Sequence, residues 1–271
     1  MKIGFLQFKP QFGNVQNNIA RIEKLLVGEK FDLIVLPELS NSGYLFTNRN
    51  EVENFSEEVG EGIFSRMLRK IAFEKNSYII AGLCEKYKRG QSIKFFNSAL
   101  LVCPKGDIFV YRKIHLFAEE SKWFFPGNIP FTVHTIKGVF GTVKIGLMLC
   151  FDWIFPEAAR TLALKGSQII CHPSNLVMPY CQKAMFTRAV ENRVFIITAN
   201  RVGSETHKSK KLNFTGNSVI VDPKGNYLAV GSRQKEEIRI VDIDPREALS
   251  KKVDSGNDVF KERRAQFYFL K

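Results

Sequence analysis

The stretch VKIGLMLCFDWIFPE, residues 143–157, contains the change from strand to helix that decides the fold class. Its first seven residues form a strongly apolar strand candidate, which ends directly before Cys150. A helix candidate begins at Pro156, because proline leaves no unpaired N–H at the first helical position and Glu157 suits the positive end of the helix dipole. A strand followed by a helix that extends to Gly166 predicts an α/β protein.

The same alternation of strand and helix candidates continues on both sides of this stretch. The other apolar strand candidates lie at residues 3–8, 33–36, 78–84, 99–102, 108–111, 168–171, 195–199, 218–221 and 238–243. Amphipathic helices are predicted around residues 19–26 and 63–71, where apolar side chains share one face. Consecutive strands within 78–112 and 214–243 argue against a purely parallel sheet. We therefore predict a single domain over residues 1–271 with the architecture of a mixed-sheet, layered α/β sandwich.

The composition indicates a globular protein without a membrane segment. With 271 residues and a hydrophobic fraction of 45%, the chain can bury a substantial core. It contains no uninterrupted apolar run of the roughly 18 residues that a membrane span needs, and its N-terminus alternates like a strand rather than a signal peptide. Five cysteines, an odd number without a dense framework, predict free thiols. We therefore expect a cytoplasmic protein with no membrane partner.

The net charge of +13 makes a basic protein that binds polyanions an alternative to be weighed. The basic residues are dispersed, however, and their densest groups, residues 86–89, 207–211 and 263–264, are interpreted as solvated loops and a tail. No zinc-finger spacing or basic zipper accompanies them. We therefore expect no nucleic-acid partner, and no metal site either, since the sequence lacks tight Cys-x-x-Cys or His-x-x-x-His spacings.

Three chemically competent side chains each lie at the end of an apolar strand candidate. Glu38 comes shortly after the strand candidate LIVL, where desolvation should raise the pKa of its carboxylate and make it a candidate base. Lys113 follows IFVYR, and Cys150 follows VKIGLML at a turn whose backbone N–H groups could stabilise a thiolate or an oxyanion. A base, a cation and a thiol at strand ends are what a thiol acyl-transfer site needs.

Three segments around these residues resemble, in order and spacing, the three signature segments of the nitrilase superfamily. They are LPE at residues 36–38, YRKIHL at residues 111–116 and LCFDWIFPE at residues 149–157. The separations of 75 residues (113 minus 38) and 37 residues (150 minus 113) also suit that family. The resemblance covers nearly the whole chain and is greatest to the thermophilic archaeal nitrilase and amidase members. Glu120 and five further segments also resemble this family, namely residues 172–175, 188–193, 200–203, 214–218 and 222–225.

The resemblance implies a particular architecture and assembly. The fold is expected to be a four-layer αββα sandwich with mixed sheets, and one helical face is expected to form a homodimer or a higher even oligomer. In this family such C-terminal tails often cover the dimer partner, so residues 257–271 are predicted to make a dimer contact. The side chains of interest in this tail are Arg263, Arg264, Phe267, Tyr268 and Phe269.

The resemblance also implies the roles of individual residues. Glu38, Lys113 and Cys150 match a Glu-Lys-Cys triad of base, stabiliser and nucleophile, and Glu120 matches a second glutamate that orients Lys113 and the substrate. The backbone N–H of Phe151 is expected to share the negative charge of the intermediate with Lys113. No metal or organic cofactor is required. The substrate pocket is implied to include His172, Ser174 and Asn175.

The expected activity is hydrolysis of a small, neutral aliphatic amide or nitrile to a carboxylic acid and ammonia, through a thioester on Cys150. A neutral substrate is favoured because PSNL, residues 173–176, contains no arginine poised for a carboxylate, although Arg188 or Arg201 could supply one. N-carbamoyl amidohydrolases and ω-amidases use the same triad and remain alternatives. A Cys-His hydrolase using His115 or His172 is another. The last is a basic binding protein on a catalytically silent scaffold.

Overall fold

Two six-stranded mixed sheets form the centre of the computed structural model, which describes residues 1–268. The first sheet contains β1 (Lys2–Gln7), β2 (Leu33–Val35), β3 (Tyr78–Arg89), β4 (Ser92–Val102), β5 (Ile108–Arg112) and β14 (Glu237–Asp242). The second sheet contains β6 (Val133–Gly138), β7 (Gly141–Leu147), β8 (Ile169–Pro173), β9 (Phe195–Ala199), β12 (Val219–Val221) and β13 (Tyr227–Val230). A separate hairpin is formed by β10 (Ser204–His207) and β11 (Lys210–Asn213).

Both sheets have parallel strands at the centre and antiparallel strands towards the edges. The order across the first sheet is β14-β1-β2-β3-β4-β5, and β1, β2 and β3 are parallel neighbours. The order across the second sheet is β13-β12-β9-β8-β7-β6, and β7, β8 and β9 are parallel neighbours. The other paired neighbours are antiparallel, so the prediction of mixed sheets is confirmed.

Helices cover the outer face of each sheet. The covering helices are α1 (Val15–Leu26), α3 (Ile63–Lys75), α5 (Pro156–Leu164) and α6 (Cys181–Asn192), and the two shorter α-helices of residues 1–268 are α2 (Arg49–Phe55) and α4 (Glu120–Trp123). Ile22 of α1 and Phe64 of α3 pack on the first sheet, whereas Leu162 of α5 and Met185 of α6 pack on the second. The predicted αββα layering is thereby confirmed. Among residues 1–268, no helix has both the length and the apolar character that crossing a membrane requires.

The central strands are buried on both faces, which explains why they read as continuous apolar runs. In β2, Leu33 and Val35 pack into the core between the two sheets, while Ile34 packs into the core beneath α1 and α3. On the facing sheet, Ile145 and its paired neighbour Ile169 contribute to the same inter-sheet core. Strands with this double burial cannot alternate polar and apolar residues, so sequence patterns locate them well.

The strand predictions at the sheet centres are confirmed, and residues 195–199 agree with β9 at both ends. The sequence patterns missed β6, β10, β11 and β13. Most side chains of these four strands are partly or fully exposed, and they lie at sheet edges or in the separate hairpin. An exposed strand needs no apolar run, because its backbone pairing does not depend on side-chain burial.

The interpretation of two basic groups as solvated loops was wrong. Residues 86–89 form the end of β3, which pairs with β4 along its whole length. Residues 207–211 span the end of β10, its tight turn and the start of β11. Charged side chains are tolerated here because they are partly or fully exposed, and strand pairing forms through backbone groups.

A substitution of Gly82 tests how closely β3 packs against the segment that follows β2. A Cβ at this position would lie 2.3 Å from Glu38 Cα and 2.5 Å from Leu39 N. Both neighbours are backbone atoms, so Gly82→Ala should reduce the free energy of unfolding by about 1–3 kcal/mol, as overpacking does. Urea denaturation measures the change. Gly256→Ala is the control, since its nearest neighbour lies 3.7 Å away; an equal loss in both variants would contradict the close approach.

Candidate active site

Three strand ends place the predicted catalytic side chains in one buried region. Glu38 follows β2 and Lys113 follows β5, both in the first sheet, whereas Cys150 follows β7 in the second. All three are buried, and the charges of Glu38 and Lys113 both act on the Cys150 thiol. Asn175, which follows β8 of the second sheet, donates its Nδ2–H to the Glu38 carbonyl oxygen at 3.0 Å. The site therefore lies where the ends of the two sheets meet.

Lys113 is the centre of a buried cluster of charges. Its Nζ lies 2.7 Å from Glu38 Oε1 and 2.8 Å from Glu120 Oε1. Asn97 Nδ2 donates a further hydrogen bond to Glu38 Oε1 at 2.7 Å, and the Tyr44 hydroxyl donates one to Glu120 Oε1 at 2.7 Å. One ammonium thus faces two carboxylates, and each carboxylate is held by a second donor.

Burial and these charges shift the pKa values of the three groups away from their usual ranges. Burial raises the pKa of Glu38, with Lys113 opposing the shift and Glu120 adding to it. Burial lowers the pKa of Lys113, but the carboxylates of Glu120 and Glu38 outweigh it and the pKa is raised. Burial and the Glu38 charge raise the pKa of Cys150 well above its usual value. At neutral pH Lys113 is therefore an ammonium and Cys150 a protonated thiol, which needs a base before it can act as a nucleophile.

Glu38 offers an acceptor for that proton. Its Oε1 is occupied by Lys113 and Asn97, whereas its Oε2 is buried and has no hydrogen-bond partner within residues 1–268. A buried carboxylate oxygen without a donor is rare in folded proteins, because its desolvation is not compensated. Such an atom is available to accept a proton from a neighbouring group.

Cys150 lies at a strained turn. Its φ is +41°, a left-handed conformation that residues with a side chain rarely adopt, and it begins a short 3₁₀ helix, Cys150–Ile154. The Cys150 carbonyl oxygen is 2.8 Å from His172 Nε2. Because unusual backbone conformations persist only where the surroundings hold them, the contacts around this turn are part of the site.

The predicted pocket residues take different places. Phe151 and Asn175 line a cavity of about 20 Å³ together with Cys150, which is room for about one water molecule. His172 and Ser174 are not among its lining residues. They contact each other instead: the Ser174 hydroxyl is 3.0 Å from His172 Nε2, and His172 Nδ1 is 3.0 Å from the Thr198 hydroxyl. Burial lowers the pKa of His172 to about 4. His172 is therefore neutral at pH 7 and supports the Cys150 backbone.

A second, larger cavity of about 300 Å³ lies beside Glu120. Five of its twelve lining residues are aromatic, and two are lysines of β11. The lining side chains are Tyr44, Leu45, Phe46, Phe117, Ala118, Glu119, Glu120, Trp123, Phe124, Lys210, Lys211 and Leu212. Phe117 belongs to the walls of both cavities.

The sequence patterns missed two side chains of the site, Asn97 and Tyr44. Asn97 interrupts the apolar run of β4, and a polar residue in the middle of a buried strand is the signal that could have identified it. Tyr44 lies in a loop and offers no such signal. Both contacts join residues that are far apart in the sequence: Asn97 and Glu38 are separated by 59 residues, and Tyr44 and Glu120 by 76.

The cysteines and the polar residues of α6 lie outside the charged cluster, except for Cys150. All five cysteines are free thiols, as predicted. Within residues 1–268, no three or more His, Cys, Asp or Glu side chains are grouped so that they could hold a metal ion. The Arg188, Glu191 and Asn192 side chains interact locally on α6, with Arg188 Nη1 3.1 Å from Glu191 Oε1.

Comparisons with known proteins show the family and the fold. The family model for carbon-nitrogen hydrolases matches residues 2–251. A nitrilase of Pyrococcus abyssi is 42% identical over 99% of each chain, and an (R)-stereoselective amidase of Pseudomonas sp is 30% identical over 97% of this chain and 92% of the relative. The crystal structure of a carbon-nitrogen hydrolase from Helicobacter pylori G27 superposes with a TM-score of 0.81 at 28% identity, covering 99% of this chain and 96% of the other.

Replacement of Lys113 by methionine tests the buried cluster. Lys113→Met leaves two buried carboxylates without their cation, so the free energy of unfolding at pH 8 should fall by about 3–5 kcal/mol. Burial and Glu120 both raise the pKa of Glu38. Folding then favours the protonated carboxyl, so part of the loss should be recovered as the pH falls towards 5. Denaturant unfolding at both pH values measures this.

The control is Lys122→Met, which removes an exposed ion pair with Glu119. It should change stability little at either pH, since exposed pairs are screened by water. A Lys113→Met variant as stable as the wild type at pH 8 would contradict a buried ammonium that neutralises two carboxylates.

Proposed function

The chain belongs to the carbon-nitrogen hydrolase family, and we propose that it hydrolyses an uncharged amide or nitrile to a carboxylic acid and ammonia through a thioester on Cys150. The observation that best supports this is the unpartnered Oε2 of Glu38, in a buried cluster whose charges act on a protonated thiol. The proposal gives each of the three side chains at strand ends a role: Glu38 is the base, Lys113 the stabiliser and Cys150 the nucleophile.

The proposed reaction proceeds in two halves. Glu38 Oε2 takes the thiol proton while the Cys150 sulfur attacks the substrate carbon, and the negative charge that develops on oxygen is stabilised by the Lys113 ammonium and the Phe151 N–H. With an amide, the protonated Glu38 then gives its proton to the departing ammonia, and a thioester remains. With a nitrile, the attack places the negative charge on nitrogen and gives a thioimidate, to which a water molecule must add before ammonia leaves and the thioester remains. In the second half Glu38 activates a water molecule, which hydrolyses the thioester. Glu120 keeps Lys113 in position throughout, at 2.8 Å.

The hydrogen bonds of the two candidate histidines argue against a Cys-His hydrolase. Both ring nitrogens of His172 are within hydrogen-bond distance of other groups, namely Thr198 Oγ1 and the Cys150 carbonyl oxygen. His115 Nδ1 lies 2.7 Å from Asp152 Oδ1. A base for the thiol would have a ring nitrogen within hydrogen-bond distance of the Cys150 sulfur, and no such contact occurs within residues 1–268.

An uncharged substrate is supported by the contacts of the two arginines that could have bound a carboxylate. Arg201 is fully buried, with Nη1 2.8 Å from Glu205 Oε2 and its guanidinium over the Phe214 ring. Arg188 is occupied by Glu191 and by the Trp153 carbonyl oxygen. The small cavity at Cys150 suits the reacting amide or nitrile group, and the larger apolar cavity beside Glu120 suits its carbon chain.

A second candidate activity, that of an ω-amidase, is favoured by one observation. Lys210 and Lys211 line the larger cavity, and Lys210 forms an ion pair with Glu119. A substrate that combines an amide at one end with a carboxylate at the other could place the carboxylate near Lys211. Turnover of such ω-amides with a lower KM than neutral amides of equal length would favour this candidate.

We further propose a homodimer that forms through the helical face of α5 and α6. Large apolar side chains on or beside these helices are exposed, namely Ile154, Leu164, Tyr180 and Phe186. The start of the C-terminal tail packs alongside, with the Arg160 guanidinium 5.3 Å from the Phe260 ring centroid. Phe267, further along the tail, is 69% exposed. Residues 269–271, including Phe269, lie outside the described part of the chain. An exposed apolar face of this kind is typical of an interface.

We infer a cytoplasmic location from the thiols. All five cysteines are free, and the proposed nucleophile must remain a thiol to react. A reducing compartment maintains that state, whereas an oxidising one favours disulfides.

Ammonia release from matched neutral amides, ω-amides, carbamoyl amino acids and nitriles tests the activity. Cys150→Ala should lower turnover by at least about 10⁴-fold, as loss of a catalytic nucleophile does. Cys103→Ala, a half-buried thiol outside the site, should retain full activity. Equal activity of Cys150→Ala and the wild type would remove the thioester mechanism.

The pH profile of the same reaction tests the base. The pKa of Glu38 is raised from its usual 4.5, so kcat/KM should fall on acidification in a window above pH 4.5. Glu38→Gln should lose most of its activity at every pH. An unchanged acid limb in a Glu38→Gln variant that still turns over would rule out Glu38 as the base.

Truncation tests the dimer contact. Removal of residues 258–271 should shift the monomer–dimer equilibrium towards the monomer, because the tail then no longer covers the partner. Sedimentation equilibrium over a range of concentrations measures the dissociation constant. A truncated protein with the same dissociation constant as the full chain would show that the tail makes no dimer contact.

A further inference from the structure

Asp152 lies two residues after Cys150, is fully buried and has no part in the proposed chemistry. Both of its carboxylate oxygens are nevertheless engaged. Oδ2 accepts hydrogen bonds from the Tyr111 hydroxyl at 2.6 Å and from the Leu149 N–H at 2.8 Å. Oδ1 is 2.7 Å from His115 Nδ1 and accepts a longer bond from the His115 N–H at 3.3 Å. A buried carboxylate with this many donors is held in one orientation.

These contacts connect the two halves of the site. Tyr111 and His115 lie on either side of Lys113, at the end of β5 in the first sheet. Leu149 directly precedes Cys150, at the end of β7 in the second sheet. Asp152 is therefore bonded both to the segment that contains the proposed stabiliser and to the turn that contains the proposed nucleophile.

Such a connection is needed because apolar packing alone does not set a catalytic distance. The inter-sheet core is composed of aliphatic and aromatic side chains, whose attraction is non-directional. Hydrogen bonds fix direction as well as distance. The effect of the reacting groups on one another depends on sub-ångström placement, and a misplacement of about 1 Å can reduce a rate about 100-fold.

The turn itself adds a second requirement. Cys150 has a φ of +41°, which the surrounding contacts must hold. The Leu149 N–H bond to Asp152 closes the turn on the strand side, and the Cys150 carbonyl bond to His172 holds the other side. The His115 side chain, which contacts Asp152, is itself held by packing: its ring stacks on Phe155 with centroids 3.7 Å apart.

We propose that Asp152 is a positioning residue that fixes the Cys150 thiol relative to Lys113 and Glu38, through its bonds to Tyr111, His115 and the Leu149 N–H. The role of His115 is then to hold Asp152. This inference rests on the proposed function, because that function assigns Cys150, Lys113 and Glu38 their parts.

Asp152→Asn and Tyr111→Phe test the proposal, with Asp222→Asn as the matched control. Asp222 is also buried and holds its own turn, accepting bonds from the Lys224 and Asn226 N–H groups, but at the distant β12–β13 connection. In folded Asp152→Asn, kcat should fall about 10- to 100-fold with KM unchanged, as misplacement of reacting groups does. Tyr111→Phe removes one donor and should show a smaller fall. Asp222→Asn should lose stability and retain kcat.

A second readout does not depend on the substrate. Iodoacetamide alkylation of Cys150, followed by peptide mass spectrometry at pH 7, reports how well Glu38 can take the thiol proton. The positioning role predicts slower alkylation of Cys150 in Asp152→Asn and Tyr111→Phe. A purely electrostatic role predicts faster alkylation in Asp152→Asn, because loss of a nearby negative charge favours the thiolate.

Each outcome decides the proposal. Wild-type kcat and alkylation rates in folded variants, or faster alkylation in Asp152→Asn, would overturn it. If Asp152→Asn does not fold, Tyr111→Phe decides by the same two measurements. If the wild type releases no ammonia from any substrate, the proposed function fails, and the alkylation comparison still tests whether Asp152 places the thiol.

Discussion

Lys113 brings a positive charge into the interior, and a buried ion there costs several kcal/mol unless opposite charges compensate it. Two carboxylates do so, Glu38 at 2.7 Å and Glu120 at 2.8 Å. These three residues come from the ends of β2 and β5 and from α4, so all three elements must meet for the ammonium to be tolerated. The arrangement of the first sheet at the end that contains Glu38 and Lys113 therefore depends on this interaction.

Two carboxylates around one ammonium leave an excess of negative charge in a buried region. The excess and the burial together raise the pKa of Glu38 and keep the Cys150 thiol protonated. A carboxylate of raised pKa is a better proton acceptor from a weakly acidic thiol than an ordinary surface glutamate. The excess of negative charge makes the cluster costly to bury, and it also suits the cluster to proton transfer. Active sites frequently combine these two properties.

The two sheets divide the site between them. The proposed base, Glu38, and the Lys113 ammonium belong to the first sheet, and the Cys150 thiol, at a backbone φ of +41°, belongs to the second. The apolar core holds the sheets together without direction, whereas a few polar bonds between them, from Asn175 to the Glu38 carbonyl and from Tyr111 to Asp152, have defined geometry. The burial of apolar surface thus supplies most of the stability, and a small number of hydrogen bonds aligns the two sheets with each other.

The sequence by itself determined the central strands, because double burial requires unbroken apolar runs. It also indicated Glu38, Lys113 and Cys150 as candidate site residues, because a reactive group at the end of such a run is conspicuous. It did not reveal the exposed edge strands of the second sheet, β6 and β13, or the β10–β11 hairpin, whose pairing leaves no apolar pattern. Nor did it reveal Tyr44, which reaches Glu120 from 76 residues away. Only the tertiary structure decided which donors hold each carboxylate, since a hydrogen bond depends on distance and angle in space, and neither can be read from separation along the chain.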